Sequence, residues 1–333
     1  SLPPRPCAMR FQFTARLARV FVARSALLLG LVLALPFARA ADRAVWTWER
    51  ESYAMVGSPA AADEALRFLQ SKRVTTIYLY ADAYRGRNLV AQRPELYRRF
   101  IQRAHGEGFK VYALLGSAYL RTEEYVLPQR RAAALAMMQR VLSYNAGSKA
   151  DARFDGVNLD IEPHILAQWK TQKMELLRQY LDLSQAFMAL KRASGQTLSI
   201  GPAIPFWLDG IDLEWNGVTR PVSEHVIDLY DYVALMDYRH RVDGGDGIIA
   251  HAANEMAYAA KKRKRVVIGL EVTPNELSKV TFNHLTEVDL ERAVAQTERA
   301  YRDSPAFAGF ALHHYRGYRR WLAGQPAGLG AGK

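Results

Sequence analysis

Strand-like and helix-like patterns alternate along this chain, and eight apolar, strand-like segments constrain its fold more than any other feature. These segments cover residues 44–48, 75–81, 110–115, 156–161, 197–203, 232–236, 265–270 and 307–312. Helical patterns cover residues 59–72, 94–105, 128–144, 168–192, 225–229, 247–264 and 288–303. Strands that look buried on both faces and alternate with helices are typical of parallel sheets. Eight such units predict a single α/β domain, a (β/α)8 TIM barrel over residues 41–322.

A doubly wound open sheet is the competing fold. It is disfavoured because no Gly-rich phosphate turn follows the first strand-like segment. Residues 323–333 are rich in Gly and Ala, and they predict a flexible tail after the barrel.

The first forty residues have the pattern of a cleavable signal peptide. Several Arg residues precede an apolar run over residues 26–37, and Ala38-Arg39-Ala40 supplies a small-x-small cleavage site. The apolar run is too short for a permanent membrane helix. We therefore expect cleavage after Ala40, no stable membrane span after that cleavage, and a periplasmic or extracellular location.

Net charge and cysteine content limit the classes of partner and cofactor that we expect for this chain. The formal net charge of +12 falls to +6 without residues 1–40, because they contain six Arg and no acidic residue. The basic run at 261–265 ends a predicted helix, where cations complement the helix dipole, so we expect no nucleic-acid partner. The single cysteine, Cys7, precedes the predicted cleavage site, so the mature chain would have no disulfide or thiolate metal site. We expect no cofactor and no metal, and the oligomeric state stays open.

The most informative stretch is residues 154–163. Val157, Leu159 and Ile161 alternate there with Asn158, Asp160 and Glu162 at period two, which predicts a strand with one apolar and one polar face. Because the neighbouring strands are strongly apolar, we expect the polar row to face an enclosed interior. Two carboxyl groups so spaced lie within ~7 Å of each other, so one pKa should rise, as a general acid near neutral pH requires.

Aromatic and acidic side chains gather where the predicted strands end. In a barrel these ends form one rim, and rings with nearby carboxylates suit a sugar, which stacks its C–H faces and hydrogen-bonds its hydroxyls. The predicted substrate-binding residues are Trp48, Tyr80, Asn158, Trp207, Met236, Glu271 and His313. After the fifth strand, Asn216-Gly217 predicts a type I′ hairpin carrying Trp215. We keep two roles open for this hairpin: a wall of the cleft, or a flap that only packs.

At this point the chain resembles glycoside hydrolase family 18, the chitinase-like barrels. Residues 155–162 read Asp-Gly-Val-Asn-Leu-Asp-Ile-Glu, similar to that family's fourth-strand signature Asp-Gly-x-Asp-x-Asp-x-Glu. Met236-Asp237-Tyr238 is similar to the family's Met-x-Tyr on the sixth strand. Leu115-Gly116-Ser117 faintly resembles its Ser-x-Gly-Gly on the third.

The resemblance implies a role for three residues. Glu162 matches the general acid that protonates the leaving glycosidic oxygen. Asp160 matches the carboxylate that orients the substrate's own 2-acetamido group, which acts as the nucleophile, and Tyr238 matches the hydroxyl that hydrogen-bonds to that group. The implied function is a glycoside hydrolase acting on a poly- or oligosaccharide with 2-acetamido sugars.

Three positions depart from the family pattern. The middle aspartate of the signature is Asn158, which removes a negative charge and should leave Asp160 easier to ionise. Arg239 stands where an aspartate usually follows Met-x-Tyr. The Trp expected near the end of the eighth strand is replaced by the His313-His314 region, so the floor of the usual sugar subsite would differ.

Two alternative functions remain open. In one, Glu162 is the acid/base and Glu271 a covalent nucleophile, as in barrels with catalytic glutamates on strands four and seven, although those usually carry Asn where Ile161 stands. In the other, the chain is a non-catalytic glycan-binding barrel, which would not need the Asp160 and Glu162 pair. A metal site from Asp160, Glu162 and His164 is disfavoured because His164 lies beyond the strand.

Overall fold

The computed structural model describes residues 41–325, and they form a closed barrel of eight parallel strands with helices between them. This confirms the predicted (β/α)8 fold. The predicted signal peptide (1–40) and residues 326–333 of the predicted tail lie outside the described residues. Within the described part of the chain, no helix combines the length and the apolar character needed to cross a membrane.

The barrel strands lie within a few residues of the predicted segments. They are β1 (Asp42–Thr47), β2 (Thr76–Tyr80), β3 (Lys110–Leu115), β4 (Gly156–Leu159), β5 (Ser199–Pro205), β8 (Tyr232–Met236), β9 (Arg265–Glu271) and β10 (Phe307–His313). Each strand pairs in parallel with its neighbour in chain order, and β10 pairs with β1 to close the barrel. Strands β6 (Asp212–Trp215) and β7 (Val218–Pro221) form a separate antiparallel hairpin between β5 and β8.

The helices are α1 (Glu49–Gly57), α2 (Pro59–Ser71), α3 (Leu89–Gln92), α4 (Pro94–Gly106), α5 (Arg131–Ala146), α6 (Trp169–Ser194), α7 (Val222–Leu229), α8 (Ile248–Lys262), α9 (Glu287–Tyr301) and α10 (Tyr315–Ala323). Short 3₁₀ turns occupy Thr122–Val126, Pro128–Arg130, Ala150–Ala152, Pro163–Ile165, Phe206–Gly210 and Ser278–Val280. Capping residues determine where several helices begin: Ser58 caps α2, and Thr286 with Asp289 forms a capping box on α9. The sequence analysis did not predict α1, α3 or α10.

Two apolar layers hold the barrel together. The larger fills the space between strands and helices, and the smaller fills the barrel interior with rings of alternating strand residues. Inside, Tyr78 packs between Trp46 and Tyr112, with ring centroids 5.3 Å and 5.8 Å away, and Tyr112 contacts Tyr232 at 5.9 Å. These large rings plug the barrel, so a ligand bound at the carboxyl ends of the strands would lie above them.

The predicted type I′ hairpin is present but packs away from the strand-end rim. Asn216 and Gly217 have φ values of 52° and 76°, as both central residues of this turn require. The Trp215 indole donates a hydrogen bond to Asp182 on α6 (2.9 Å), and its ring meets His225 on α7 edge-on at 5.6 Å. Of the two roles kept open, the structure therefore supports the packing flap.

Candidate active site

A cavity of about 300 Å³ opens at the carboxyl ends of the barrel strands. It is lined by Trp46, Trp48, Glu49, Ser117, Ala118, Thr122, Glu123, Asp160, Glu162, Ile165, Ala203, Met236, Tyr238 and His313. Six of the ten residues predicted for the site are among them: Trp48, Asp160, Glu162, Met236, Tyr238 and His313. In barrel enzymes this end of the strands carries the chemistry.

Asp160 and Glu162, two of the four acidic residues that line the cavity, are positioned by backbone packing just beyond β4. The Asp160 N–H donates to the Leu115 carbonyl (2.7 Å), which continues the β3–β4 ladder one residue past the strand. Gly116, with φ of 141°, passes so close that a Cβ there would clash with the Asp160 carbonyl. Glycine at 116 therefore allows the third and fourth strand ends to meet, and this contact fixes where Asp160 lies.

Asp160 is the carboxyl group of the pair whose pKa is raised. Burial raises it most, and the negative charges of Glu162 and Glu49 add to this, while His313 opposes it, giving a pKa of about 7. The pKa of Asp160 is therefore raised even with the neutral Asn158 in place of an aspartate, because burial is the largest cause.

Glu162 faces a histidine held by two tryptophans. The Glu162 Oε2 atom lies 3.1 Å from His164 Nε2, and the His164 ring meets Trp207 and Trp169 edge-on, with centroids 5.2 Å and 6.2 Å away. Trp207 thus supports His164 and does not line the cavity, contrary to the sequence prediction. Among residues 41–325, no group of three or more His, Cys, Asp or Glu side chains is arranged to hold a metal ion.

The opposite side of the cavity is built around His313. Its Nδ1 atom lies 2.8 Å from the Glu271 carboxylate, and its Nε2 atom accepts a hydrogen bond from the Trp48 indole at 3.3 Å. With the Trp48 indole donating to Nε2, Nδ1 is the ring nitrogen that donates to the Glu271 carboxylate. The second Glu271 oxygen accepts the Thr273 N–H (2.6 Å), so Glu271, only 6% exposed, orients His313 from behind instead of lining the cavity as predicted.

Tyr238 lies between the two sides. Its ring centroid is 5.8 Å from that of His313, and the residue lines the same cavity as Asp160 and Glu162. Burial, followed by the charges of Glu271, Asp160 and Glu162, raises the Tyr238 pKa well above its usual value. The phenol therefore stays protonated at neutral pH and can donate a hydrogen bond into the cavity.

Asn158 and Tyr80 lie below the cavity surface, so their predicted substrate contacts do not hold in this arrangement. Asn158 is fully buried; it accepts from the Trp46 indole (2.8 Å) and donates to the Tyr232 hydroxyl (3.2 Å). An amide suits this place because it can accept and donate at once without a buried charge. Tyr80 is also fully buried, and its hydroxyl donates to the Ala83 carbonyl (2.7 Å).

The sequence analysis missed several lining residues, of which Glu49 and Ser117 matter most. Glu49 follows the first strand, Ser117 follows the third, and the Ser117 hydroxyl donates a hydrogen bond to the Glu49 carboxylate across the cavity rim. The available signal was position alone, since both residues stand just past the end of a strand. Their side-chain contact depends on strands far apart in sequence.

No protein-family model matches this chain, and no curated protein sequence does either. Several solved structures are similar to this chain in fold. A GH18 chitinase from Cycas revoluta in complex with (GlcNAc)3 is 14% identical, with a TM-score of 0.52 over 85% of this chain and 97% of that one. A mutant of the Cycas revoluta GH18 chitinase in complex with (GlcNAc)4 is 13% identical, with a TM-score of 0.53 over 85% and 97% of the two chains.

A class V chitinase from Nicotiana tobaccum gives the same result. It is 13% identical, with a TM-score of 0.52 over 84% of this chain and 96% of that one. Identities this low do not carry function from one protein to another. This chain has the barrel fold of the GH18 chitinases.

Proposed function

We propose that the protein is a glycoside hydrolase that cleaves a glycan of 2-acetamido sugars with the help of the substrate's own acetamido group. One observation carries the proposal: Asp160 and Glu162 open side by side onto the strand-end cavity, and Asp160 has a pKa of about 7. The similarity of the fold to chitinases solved with (GlcNAc)3 and (GlcNAc)4 supports this substrate class.

In the proposed reaction each group acts on a stated atom. Glu162 protonates the leaving glycosidic oxygen as the bond to the anomeric carbon breaks, while the acetamido oxygen attacks that carbon. The positive charge that develops on the acetamido group is stabilised by Asp160, and the Tyr238 phenol hydrogen-bonds to the same group. Water then opens the cyclic intermediate, with Glu162 taking its proton.

The charge state of the pair suits this division of work. Two interacting carboxyl groups lose their protons in two steps that belong to the pair, and the upper step lies near pH 7. Between the two steps the pair holds one proton, which supplies the acid for the leaving group and leaves one negative charge for the acetamido group. The doubly protonated form lacks the negative charge, and the doubly ionised form lacks the acid.

The geometry favours this scheme over a covalent intermediate on Glu271. Glu271 is 6% exposed, does not line the cavity, and has its two carboxylate oxygens occupied by His313 and the Thr273 N–H. A nucleophile must reach the anomeric carbon from the cavity. Glu271 would have to leave both partners to do so.

The decisive experiment compares substrates that differ only in the acetyl group. The purified mature chain should hydrolyse N-acetylated oligosaccharides, fail on their de-N-acetylated counterparts, and be inhibited competitively by a thiazoline mimic of the cyclic intermediate. A sugar ester trapped on Glu271, with full activity on substrates lacking the acetamido group, would overturn the proposal. Binding of N-acetylated glycans without turnover would instead identify a glycan-binding protein.

We also propose that the protein is exported and cleaved between Ala40 and Ala41. The support is the basic, apolar and small-x-small pattern of residues 1–40. N-terminal sequencing of the protein recovered outside the cytoplasm should begin at Ala41. A soluble exported form that retains residues 20–40 would contradict this.

A further inference from the structure

A second cavity, of about 430 Å³, lies on the same face of the barrel as the first. Its walls come from the loop after β9, including Thr273 and Asn283, and from α10 along its whole length, from His314 before the helix to Gln325 beyond it. The charged side chains among its described lining residues are Arg316 and Arg320, with His314 beside them, and none of those lining residues carries a carboxylate. We refer to it as the basic cavity.

The two arginines of the basic cavity lack partners within residues 41–325. Neither Arg316 nor Arg320 forms a side-chain hydrogen bond or an ion pair there, and the Arg316 Nε atom is buried without an acceptor. Arg319, on the same helix, differs: it pairs with Glu64 at 2.6 Å and donates to the Tyr315 hydroxyl. The guanidinium groups of Arg316 and Arg320 are therefore not committed to a partner within the described residues, and their charge is available to a ligand in the basic cavity.

One carboxylate approaches the basic cavity from behind. Glu51 on α1 is 8% exposed and lies 3.6 Å from His314 Nδ1, and Arg316 also lowers its pKa. A single acid opposes two arginines, so the basic cavity keeps a positive charge.

The basic cavity adjoins the active-site cavity through consecutive residues. His313 lines the active-site cavity and His314 lines the basic cavity, with their ring centroids 5.0 Å apart. A glycan that is bound in the active-site cavity and extends past His313 would bring its substituents to the basic cavity.

We propose that the basic cavity binds an anionic group, a carboxylate, sulfate or phosphate, carried by the glycan, so that the enzyme prefers acidic 2-acetamido glycans to neutral ones. Arg316 and Arg320 hold the anion, in the planar two-donor geometry that guanidinium groups offer to such ligands. The substrate part of this proposal rests on the proposed function. The anion site itself does not.

The first test needs no glycan. Inorganic sulfate, titrated by calorimetry at constant ionic strength against chloride, should bind saturably to the protein. The variant Arg316→Gln/Arg320→Gln should bind it at least ~10-fold more weakly, as expected when charge-assisted hydrogen bonds are lost. The control Arg302→Gln/Arg319→Gln removes two positive charges outside the cavity and should bind as the wild type does. No saturable binding, or equal binding by all three proteins, would overturn the anion site.

The second test uses two substrates: a neutral N-acetylated oligosaccharide, and the same backbone bearing carboxylates. The wild type should show a higher kcat/KM on the acidic one, and Arg316→Gln/Arg320→Gln should lose that preference while keeping turnover of the neutral one. Sulfate binding without an acidic preference would overturn the substrate assignment and leave a site for a free anion. Failure to cleave either substrate would overturn the proposed function, and the sulfate titration would still decide the anion site.

Discussion

Two pairs of carboxyl groups in this barrel share an electrostatic property and differ in what they can reach. The first pair is Asp160 and Glu162 at the strand-end cavity, where Asp160 has a pKa of about 7. The second is Asp237, directly after β8, and Glu255 on α8, each with a pKa of about 8. Burial is the largest cause for all three raised values, but only the first pair opens onto a cavity.

The second pair is enclosed by protein and has no access to a cavity in the part of the chain that the structure describes. Asp237 is 0% exposed and Glu255 is 1% exposed, and the two carboxylate oxygens of Asp237 have no hydrogen-bond partner within the described structure. Asp237 stands between Met236 and Tyr238, which both line the active-site cavity, yet it is absent from that lining because neighbouring residues of an extended chain point to opposite sides. A raised pKa therefore marks burial first, and access to a ligand must be shown separately before it marks function.

The largest expected effect is on turnover, where the two carboxyl pairs should respond differently to the same substitution. Glu162→Gln should lower kcat by at least ~100-fold on a substrate with a poor leaving group, because no other acid is placed to protonate the glycosidic oxygen in the proposed scheme. Substrate binding should be largely kept. Glu255→Gln, an identical change at the enclosed pair, should leave kcat close to the wild-type value. Unchanged turnover in a folded Glu162→Gln variant would remove Glu162 from the mechanism.

The next comparison sets Asp160→Asn against Asp237→Asn. Asp160→Asn should be nearly as damaging as the loss of Glu162, because the acetamido group loses the charge that stabilises it. In the wild type, kcat/KM should fall as pH rises through about 7, since the first pair then loses its shared proton. That fall should no longer lie near pH 7 in Asp160→Asn, whereas Asp237→Asn should keep it. A fall that is the same in both variants would show that another group controls it.

Gly116→Ala tests whether the backbone fixes the first pair. The added Cβ would clash with the Asp160 carbonyl at a φ of 141°, so we expect ~1–3 kcal/mol of lost stability and a reduced kcat. Gly57→Ala is the matched control, since a Cβ there meets nothing within 4 Å. Unfolding in urea measures the first effect and turnover the second. A stable, fully active Gly116→Ala protein would show that the strand ends can separate without consequence.

The enclosed pair, Asp237 and Glu255, should make the free energy of unfolding depend on pH. Asp237 and Glu255 hold their protons in the folded state up to a pKa of about 8, whereas in the unfolded chain they ionise near the usual carboxyl values. The folded state therefore binds more protons between these limits, and the free energy of unfolding should fall as pH rises from about 4 to about 8. Asp237→Asn should make this fall shallower in urea titrations at pH 5 and pH 9. An identical slope in wild type and variant would contradict the raised pKa.

The smallest expected effect concerns Glu271. This buried acid does not line the active-site cavity, but it contacts His313, which does. Glu271→Gln should mainly raise KM, with a modest change in kcat, because glutamine offers one acceptor oxygen to the two donors that Glu271 binds, His313 and the Thr273 N–H, so His313 would be held less firmly. Asn283→Ala, a nearby change in the loop after β9, serves as the control for general loosening of that loop. A loss of kcat as large as that of Glu162→Gln would favour the covalent scheme.

Much of the fold was determined by the sequence alone. Val, Ile and aromatic runs of strand length, separated by helical periodicity, specify eight parallel strand units, and the Asn216-Gly217 turn specifies its hairpin, because both depend on local geometry. The same local pattern placed Asp160 and Glu162 at the end of one strand. Helix α10 was missed because it is only nine residues long and its buried residues, Tyr315, Tyr318 and Trp321, stand among three arginines.

What the tertiary structure decided is which strand-end side chains meet. Tyr80 and Trp207 looked like rim residues, but packing against neighbouring elements turned them away from the active-site cavity, and Glu49 with Ser117 took places there that no local pattern indicated. The raised pKa of Asp160 was also decided by the tertiary structure, because burial is its largest cause. Desolvation and side-chain direction depend on residues far apart in the chain, so only the closed barrel could settle them.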